Sequence, residues 1–360
     1  MLDTKRKVSH PGIYIKDAIE ELGLSQTEFA VRSGLSIKNV STLISGESRI
    51  TVDVALKLAS FFNTGVDGWI NLQTKYDIYL IEEKTSNALK REWEIVKQFD
   101  NKFLNDYLNI NVDSKNKDET IRELRQCFNV GTLEALKKPD MYAFCKTSIN
   151  KDLTEKNIIM RNAWISLAEK MAANMKCNEF NKQVIQDNLL ELRKLTLEHP
   201  ETFHPKLNAI MKEAGIKLVI LPYLANSLVG GVTKWIQNEN CIMIAINDCG
   251  KSADRIWFSI FHEIGHAMKN HKRHLTISYE KDKIMDEDEV AANKFAKELL
   301  INEDDYREFV SREKFDLLSI QRFAKEQQVA DFIVIGRLKN DNFIPWSMHN
   351  DRMIKYSVIY

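Results

Sequence analysis

The residues best suited to chemistry are the two histidines and the glutamate of Phe261-His262-Glu263-Ile264-Gly265-His266. His262 and His266 are four residues apart, so both imidazoles project from the same side of a helix, which is the spacing that two zinc ligands need. Glu263 lies beside the first histidine, where its carboxylate could take a proton from water held by the metal and pass it to a leaving amine. The motif therefore predicts a zinc site with Glu263 as its catalytic base.

An amphipathic helix must position these side chains. One apolar stripe recurs at helical spacing and predicts a helix over about 254–271; it consists of Trp257, Ile260, Phe261, Ile264 and Met268. A His-Glu-x-x-His pattern can also occur by chance on a surface helix that binds no metal. The motif therefore needs support from elsewhere in the chain.

Such a zinc site needs a third protein ligand, with the fourth position left open. The candidate is Glu289, 23 residues past His266, on a second predicted helix over about 287–300 that could bring it back to the metal. The alternative is that the acidic run at 286–289 only favours the positive end of that helix. The two roles are compatible.

Other residues near the motif are candidates for the surrounding cleft. His271 or His274 could orient substrate or stabilise an oxyanion, but surface or packing roles are favoured for both. Strands are predicted at 215–222 and 241–247. Trp235 and the second strand could line a cleft, although a core position is favoured for Trp235, and an exposed edge of that strand could bind an extended peptide by strand addition.

A second grouping lies near the N-terminus and has the form of a helix, a turn and a helix. Ser25 and Glu28 predict a capping box at the start of the first helix, Gly34 ends it, and Ser36 caps the next helix, Ile37–Ile44. In that second helix the apolar residues Val40, Leu43 and Ile44 would pack inward and leave a polar face outside.

The polar face has the side chains that a helix in the major groove uses. Asparagine and lysine can bond base edges, and serine and threonine can bond phosphates. The predicted DNA-binding residues are Gln26, Ser36, Lys38, Asn39, Ser41 and Thr42. The alternative is a small helical bundle with a solvated polar face. Residues 1–75 contain 9 basic and 8 acidic residues, so charge does not decide between the two.

Length and composition limit the class of protein to which both candidate sites belong. The 360 residues predict two or three domains, and the 51 basic residues equal the 51 acidic ones, which excludes a bulk attraction to DNA or membranes. No apolar run approaches the roughly 20 residues of a transmembrane helix, and the basic start has no apolar stretch of a signal peptide behind it. The five scattered cysteines are typical of reduced thiols in a cytosolic protein. We therefore expect a cytoplasmic protein without membrane contact.

Residues 8–80 resemble the HigA-type antitoxin branch of the Cro/repressor-like family. The matching pieces are His10-Pro11-Gly12, Leu22-Gly23-Leu24-Ser25-Gln26, Ser41-Thr42-Leu43-Ile44-Ser45-Gly46, and Trp69-Ile70-Asn71-Leu72-Gln73 with Tyr76-Asp77. The resemblance implies a five-helix fold and a homodimer bound to a palindromic operator.

Residues 203–346 resemble the ImmA/IrrE family of metallopeptidases. Besides the His-Glu motif, the matching pieces are Ala214-Gly215-Ile216, Trp257-Phe258, Glu289 with Ala292-Asn293 and Phe295-Ala296, Leu299-Leu300, and Gly336-Arg337-Leu338. The resemblance implies that His262, His266 and Glu289 bind Zn²⁺ and that Glu263 is catalytic. Two positions depart from the family: at Ala291 members often have a second acid, and at Asn302 a proline often follows the leucines. Neither removes a ligand.

These observations predict a mainly α chain with a small α+β part. A five-helix helix-turn-helix domain would span residues 1–81, a helical spacer or packing region residues 82–178, and a zincin-like metallopeptidase domain residues 179–360. Two functions stay open. One is a DNA-binding transcriptional regulator whose zinc endopeptidase cleaves a repressor-like or antitoxin-like protein. The other is a HigA-like antitoxin and autorepressor that binds a cognate toxin and carries a non-catalytic metallopeptidase scaffold.

Overall fold

The computed structural model describes residues 8–142, 153–270, 275–279 and 287–356. His271 and His274 lie outside them. The chain divides into two compact units, residues 1–91 and 92–360. As predicted, the described chain is mainly helical with one small sheet. Among the described residues, no helix combines the length and apolar character that crossing a membrane requires.

The first unit is the predicted set of five helices. They are α1 (Gly12–Glu21), α2 (Gln26–Ser33), α3 (Ile37–Ile44), α4 (Val52–Phe62) and the long α5 (Val66–Val96), which continues into the second unit. Phe29, Val40 and Leu58 are fully buried in their shared core. Gly12 allows α1 to approach α3, because a side chain at this position would collide with the backbone of Leu43.

The turn between α2 and α3 forms as its sequence dictates. The Ser25 hydroxyl accepts a hydrogen bond from the backbone N–H of Glu28, and the Glu28 carboxylate accepts one from the backbone N–H of Ser25, so the predicted capping box is present. Gly34 ends α2 with φ of 71°, a left-handed conformation that glycine adopts without strain. The Ser36 hydroxyl then caps α3 by accepting from the backbone N–H of Asn39 at 3.1 Å.

The second unit has ten further α-helices and four strands among the described residues. The helices are α6 (Asn101–Leu108), α7 (Lys117–Cys127), α8 (Glu155–Ala173), α9 (Lys182–Lys194), α10 (Pro200–Glu213), α11 (Ala253–Asn270), α12 (Glu287–Leu300), α13 (Glu303–Ser311), α14 (Leu317–Gln327) and α15 (Asp331–Asn340), with 3₁₀ turns at Leu133–Lys137, Leu195–Leu197, Cys249–Lys251 and Asn350–Arg352. The strands are β1 (Ile216–Leu221), β2 (Val229–Ile236), β3 (Cys241–Asn247) and β4 (Leu275–Tyr279).

The four strands form one mixed sheet in the order β1-β3-β2-β4. β1 is parallel to β3, whereas β2 is antiparallel to both β3 and β4. The Thr233 side chain of β2 reaches α11, and its neighbour Lys234 pairs with Glu169 of α8. Successive side chains of a strand point to opposite faces, so helices cover both faces of this sheet. This accounts for β3, in which every residue is buried.

α11 lies on one face of the sheet, and α12 packs closely against it. All five residues of the predicted apolar stripe on α11 are buried in the core of the second unit. A methyl group at Gly265 would lie only 3.1 Å from Cα of Ala292 and 3.2 Å from the Phe295 ring. The missing side chain at Gly265 thus allows the close approach that brings the start of α12 to the two histidines.

Candidate metal centre and candidate DNA-facing helix

The two histidines of α11 and the carboxylate of Glu289 on α12 converge on one point. Nε2 of His262 and Nε2 of His266 lie 3.1 Å apart. Oε2 of Glu289 lies 3.2 Å from the first nitrogen, and Oε1 lies 3.1 Å from the second. All three side chains are largely buried, with exposed fractions of 8%, 3% and 13%. The three groups predicted to be ligands therefore form one compact cluster that could hold a metal ion.

The spacing of the donor atoms fits a tetrahedral ion. Ligand bonds of about 2.0–2.1 Å to a tetrahedral zinc ion would hold the ligand atoms roughly 3.3 Å apart. The observed separations of 3.1–3.2 Å are close to that value. Two imidazole nitrogens and one carboxylate are also the donor set of many zinc hydrolases.

Asn293 orients the first histidine from the side away from the cluster. Its Oδ1 lies 3.0 Å from Nδ1 of His262. When Nδ1–H donates to this oxygen, Nε2 keeps its lone pair for a metal, which is how outer partners usually fix a histidine ligand. Asn293 lies one turn after Glu289 on α12, so the same helix provides one predicted ligand and the hydrogen-bond partner of another.

Electrostatics keep the Glu289 carboxylate charged. Burial alone would favour the neutral acid, but hydrogen bonds and charges from His262 and His266 outweigh it and lower the pKa of Glu289 to about 2. Burial likewise disfavours the charged form of His266, yet Glu289 and Glu263 outweigh that effect and raise the pKa of this imidazole. The Glu289 carboxylate is thus in the charged form that can bind a cation.

Glu263 is almost completely buried, with 1% of its surface exposed, and is held by β2. The Thr233 hydroxyl lies 2.6 Å from its Oε2, and Oε1 lies against Gly231, where any side chain would collide with it. The carboxylate, His262 and Glu289 line the same cleft. The structure thus brings the predicted catalytic residue and the predicted ligands into one site.

The cleft has a volume of about 1660 Å³. The aromatic side chains of Tyr223, Phe258 and Trp346 line it. Acidic residues and basic residues, the latter including Arg255 and Arg337, line it as well. The edge strand β4 also reaches the site, because the Ser278 hydroxyl lies 3.2 Å from Nε2 of His262 and 3.4 Å from Nε2 of His266. A cleft of this size, polar at its base, can hold an extended peptide.

The structure corrects the predicted peptide-binding edge. We expected an exposed edge on the strand at 241–247, but β3 lies between β1 and β2 and has no free edge. Among the described strands, β4 is the edge strand on the side of the metal cluster. Trp235 packs against the hydrophobic core and meets the Phe180 ring edge-on, in agreement with the core position favoured for it.

The predicted DNA-binding residues lie on or beside α2 and α3. The exposed residues are Gln26, Ser36, Lys38, Asn39 and Ser41. Thr42 is half-buried, and its hydroxyl donates to the carbonyl of Lys38 at 3.0 Å and accepts from Ser48. Val40 and Leu43 are buried on the opposite side of α3. α3 therefore presents a polar face to solvent, with Lys38, Asn39 and Ser41 at its centre.

Four residues of the metal site had no signal in the motif itself. Thr233 and Gly231 come from β2, Ser278 from β4, and Asn293 from the second turn of α12. Only Asn293 could have been found from the sequence, because it lies four residues after Glu289 and so on the same face of that helix.

Comparisons with known proteins match the two units separately. A helix-turn-helix family model matches residues 15–69, and the model of the IrrE N-terminal-like domain matches residues 211–338. Virulence-associated protein A′ of Dichelobacter nodosus is 31% identical over 86 residues, 24% of this chain and 75% of that protein. The uncharacterized HTH-type transcriptional regulator YbaQ of Escherichia coli K12 is 35% identical over 94 residues, 25% of this chain and 83% of the relative.

Solved structures are similar to the same N-terminal part. An addiction module antidote protein of the HigA family from Coxiella burnetii is 30% identical, with 24% of this chain and 94% of that chain covered and a TM-score of 0.23.

Proposed function

We propose that this chain, which belongs to the family of helix-turn-helix regulators and carries an IrrE N-terminal-like domain, binds operator DNA as a homodimer and cleaves a regulatory protein with a zinc-dependent endopeptidase. The observation that carries the enzymatic part is the convergence of His262, His266 and Glu289 beside the buried carboxylate of Glu263. The protein would be cytoplasmic, and its substrate would be a repressor-like or antitoxin-like protein.

Zn²⁺ is the proposed cofactor, and His262, His266 and Glu289 would hold it. When bound, zinc would supply the Lewis acidity that activates water and polarises a peptide carbonyl. The donor set of two imidazoles and one carboxylate and the 3.1–3.2 Å spacing of the donor atoms support this assignment.

Glu263 would serve as the general base and acid. Its Oε2 accepts the Thr233 hydrogen bond, so Oε1 is the oxygen that would accept a proton from the attacking water and return it to the leaving nitrogen. Burial of this carboxylate keeps bulk water from competing for it. Thr233 would act as a positioning residue, because it touches Glu263 and not the metal cluster.

The substrate would bind as an extended strand along β4. In the described part of the sheet, β4 pairs with β2 on one side only, so its other edge has backbone groups that can pair with a peptide. A peptide added there would run past the metal cluster, because Ser278 of β4 touches both histidines. This geometry favours cleavage of an unfolded segment over digestion of a folded domain.

α3 would be the helix that enters the major groove. Lys38 and Asn39 would contact base edges, and Ser36, Ser41, Thr42 and Gln26 would contact phosphates or the flanks of the site. The exposure of Lys38, Asn39 and Ser41 and the burial of Val40 and Leu43 support this orientation.

The test of the enzymatic proposal separates metal binding from catalysis. We expect about one zinc per chain by elemental analysis, lost in His262→Ala and kept in Glu263→Gln. Glutamine has nearly the shape of glutamate but cannot accept the proton, so cleavage should fall by roughly 10²- to 10⁴-fold. Full metal retention in His262→Ala would overturn the ligand assignment.

The substrate can be sought in cells that express either wild type or Glu263→Gln. Mass spectrometry of protein N-termini should reveal a cleavage product that appears only with wild type. If no product appears and Glu263→Gln preserves gene repression and neutralisation of a toxin, the endopeptidase is ruled out. The chain would then be an antitoxin-like repressor whose second unit is a metal-stabilised scaffold for binding a cognate toxin.

A further inference from the structure

Ser278 extends from the edge strand into the metal cluster. It is 7% exposed, and its hydroxyl oxygen lies 3.2 Å from Nε2 of His262 and 3.4 Å from Nε2 of His266. In the register of the sheet it lies opposite Gly231, the residue that packs against Glu263. The pairing of β4 with β2 therefore fixes Ser278 beside both the ligands and the proposed base.

The hydroxyl contacts the ring nitrogens that would face the proposed metal. A residue that only supports a histidine ligand bonds the other nitrogen, as Asn293 does at Nδ1 of His262. Ser278 instead lies near the Nε2 atoms of both histidines, which are the same atoms that approach Glu289. Its position is that of a donor to the metal and not that of an outer support.

The distances agree with this position. The three proposed ligands are separated by 3.1–3.2 Å, and the Ser278 oxygen adds separations of 3.2 and 3.4 Å. Ligand atoms around a tetrahedral zinc ion lie roughly 3.3 Å apart. The Ser278 oxygen is thus as far from the two histidine nitrogens as a fourth tetrahedral ligand would be.

We infer that Ser278 is the fourth ligand of the resting metal site. This inference rests on the metal site of the proposed function. A catalytic zinc needs its fourth position open, so a serine in that position closes the site to water and substrate. A neutral hydroxyl is a weak ligand. β4, the strand that carries Ser278, is also the strand to which a substrate peptide would add. The site would be latent until substrate displaces the hydroxyl.

The first experiment replaces the hydroxyl with a thiol and zinc with Co²⁺. A thiol that coordinates a metal is deprotonated, and a cobalt–thiolate bond gives a sulfur-to-metal charge-transfer band in the near ultraviolet. We expect this band in Ser278→Cys and not in wild type, whose native cysteines provide the baseline. The control is Thr276→Cys, two residues away on the same face of β4, which lies opposite Thr233 and should give no band.

The second experiment removes the hydroxyl. Ser278→Ala should bind zinc only about 10-fold more weakly in competition with a chelator, as little as the loss of an outer partner, because water can replace a neutral hydroxyl. It should cleave substrate faster than wild type, because the fourth position is open to that water. Slower cleavage with unchanged zinc affinity would overturn the inference and assign the hydroxyl to substrate handling. The inference would also be overturned if Ser278→Cys bound cobalt normally but showed no charge-transfer band. The proposed metal site would survive that result. If wild type takes up no metal, the metal site and the inference fail together.

Discussion

The Thr233 hydroxyl on β2 donates a 2.6 Å hydrogen bond to Oε2 of Glu263 on α11. Both residues are buried, with exposed fractions of 7% and 1%. The bond fixes one carboxylate oxygen and leaves the other to face Gly231. The sheet therefore sets the orientation of the proposed catalytic group, although that group belongs to a helix.

Thr233→Val should reduce cleavage without loss of metal. Valine has the shape of threonine but cannot donate the hydrogen bond, so the Glu263 carboxylate can rotate away from the reacting atoms. Misplacement of about 1 Å can cost roughly 10²-fold in rate. Thr233→Ser keeps the hydroxyl and should restore most of the rate, and both variants should keep wild-type zinc content. A fully active Thr233→Val would remove Thr233 from the proposed mechanism.

Glu289→Ala should lose zinc, whereas Glu287→Ala should keep it. Both residues begin α12, but Glu289 reaches the two histidines and Glu287 is exposed. Loss of a charged ligand, which water cannot match, should weaken zinc binding by more than the roughly 10- to 100-fold typical of outer partners. Chelator competition with both variants is the measurement. Equal losses would mean that the acidic start of α12 attracts cations only through its charge.

The elements that carry the predicted ligands could be read from the sequence because their signals are local. The helix around the His-Glu motif has a strong apolar stripe, and α12 begins and ends at the predicted residues 287 and 300. The capping box at Ser25 and the serine cap at Ser36 need only neighbours three residues away.

The rest of the site depends on strand pairing, for which local patterns carry little information. β2 contains Gly230 and Gly231, and glycine weakens the signal of a strand. Ser278 meets the histidines only because β4 pairs with β2 in one register. The prediction of an exposed edge on β3 is wrong for the same reason: its unbroken apolar run indicates a strand covered on both faces, but it does not show that β1 and β2 pair with its two edges.

Lys38→Ala combined with Asn39→Ala should abolish specific footprinting of the operator. Both side chains are exposed on α3, and the fold does not depend on them. Loss of two base contacts at about 1–3 kcal/mol each should weaken specific binding by roughly 30-fold or more. Lys57→Ala is the control, because it removes a lysine from α4 that pairs with Asp53. An unchanged footprint in the double variant would show that α3 does not read the DNA.

Glu92→Gln should destabilise the second unit. The Glu92 side chain is 1% exposed and accepts hydrogen bonds from Nε of Arg125 and the backbone N–H of Leu133, both at 2.9 Å. Glutamine leaves the Arg125 guanidinium without its counter-charge. Because Arg125 is about one-third exposed, we expect the free energy of unfolding to fall by about 2–3 kcal/mol. This is less than the roughly 3–5 kcal/mol lost when one partner of a fully buried pair is removed. Urea unfolding at neutral pH measures it.

The ion pair of Glu92 and Arg125 also predicts how the stability difference between wild type and Glu92→Gln varies with pH. Burial would favour the neutral acid, but the hydrogen bonds from Arg125 and Leu133 outweigh it and lower the pKa of Glu92. A carboxylate whose pKa is lower in the folded state stabilises the protein above its ordinary pKa, about 4.3, and loses this contribution as pH falls through the folded value. The difference in the free energy of unfolding between wild type and Glu92→Gln should therefore be largest near pH 7 and decrease in acid. The control is Glu94→Gln, which alters an exposed pair with Lys97 and should lower the free energy of unfolding by under about 1 kcal/mol. A stability difference between wild type and Glu92→Gln that did not change with pH would contradict the assigned role of the Glu92 charge.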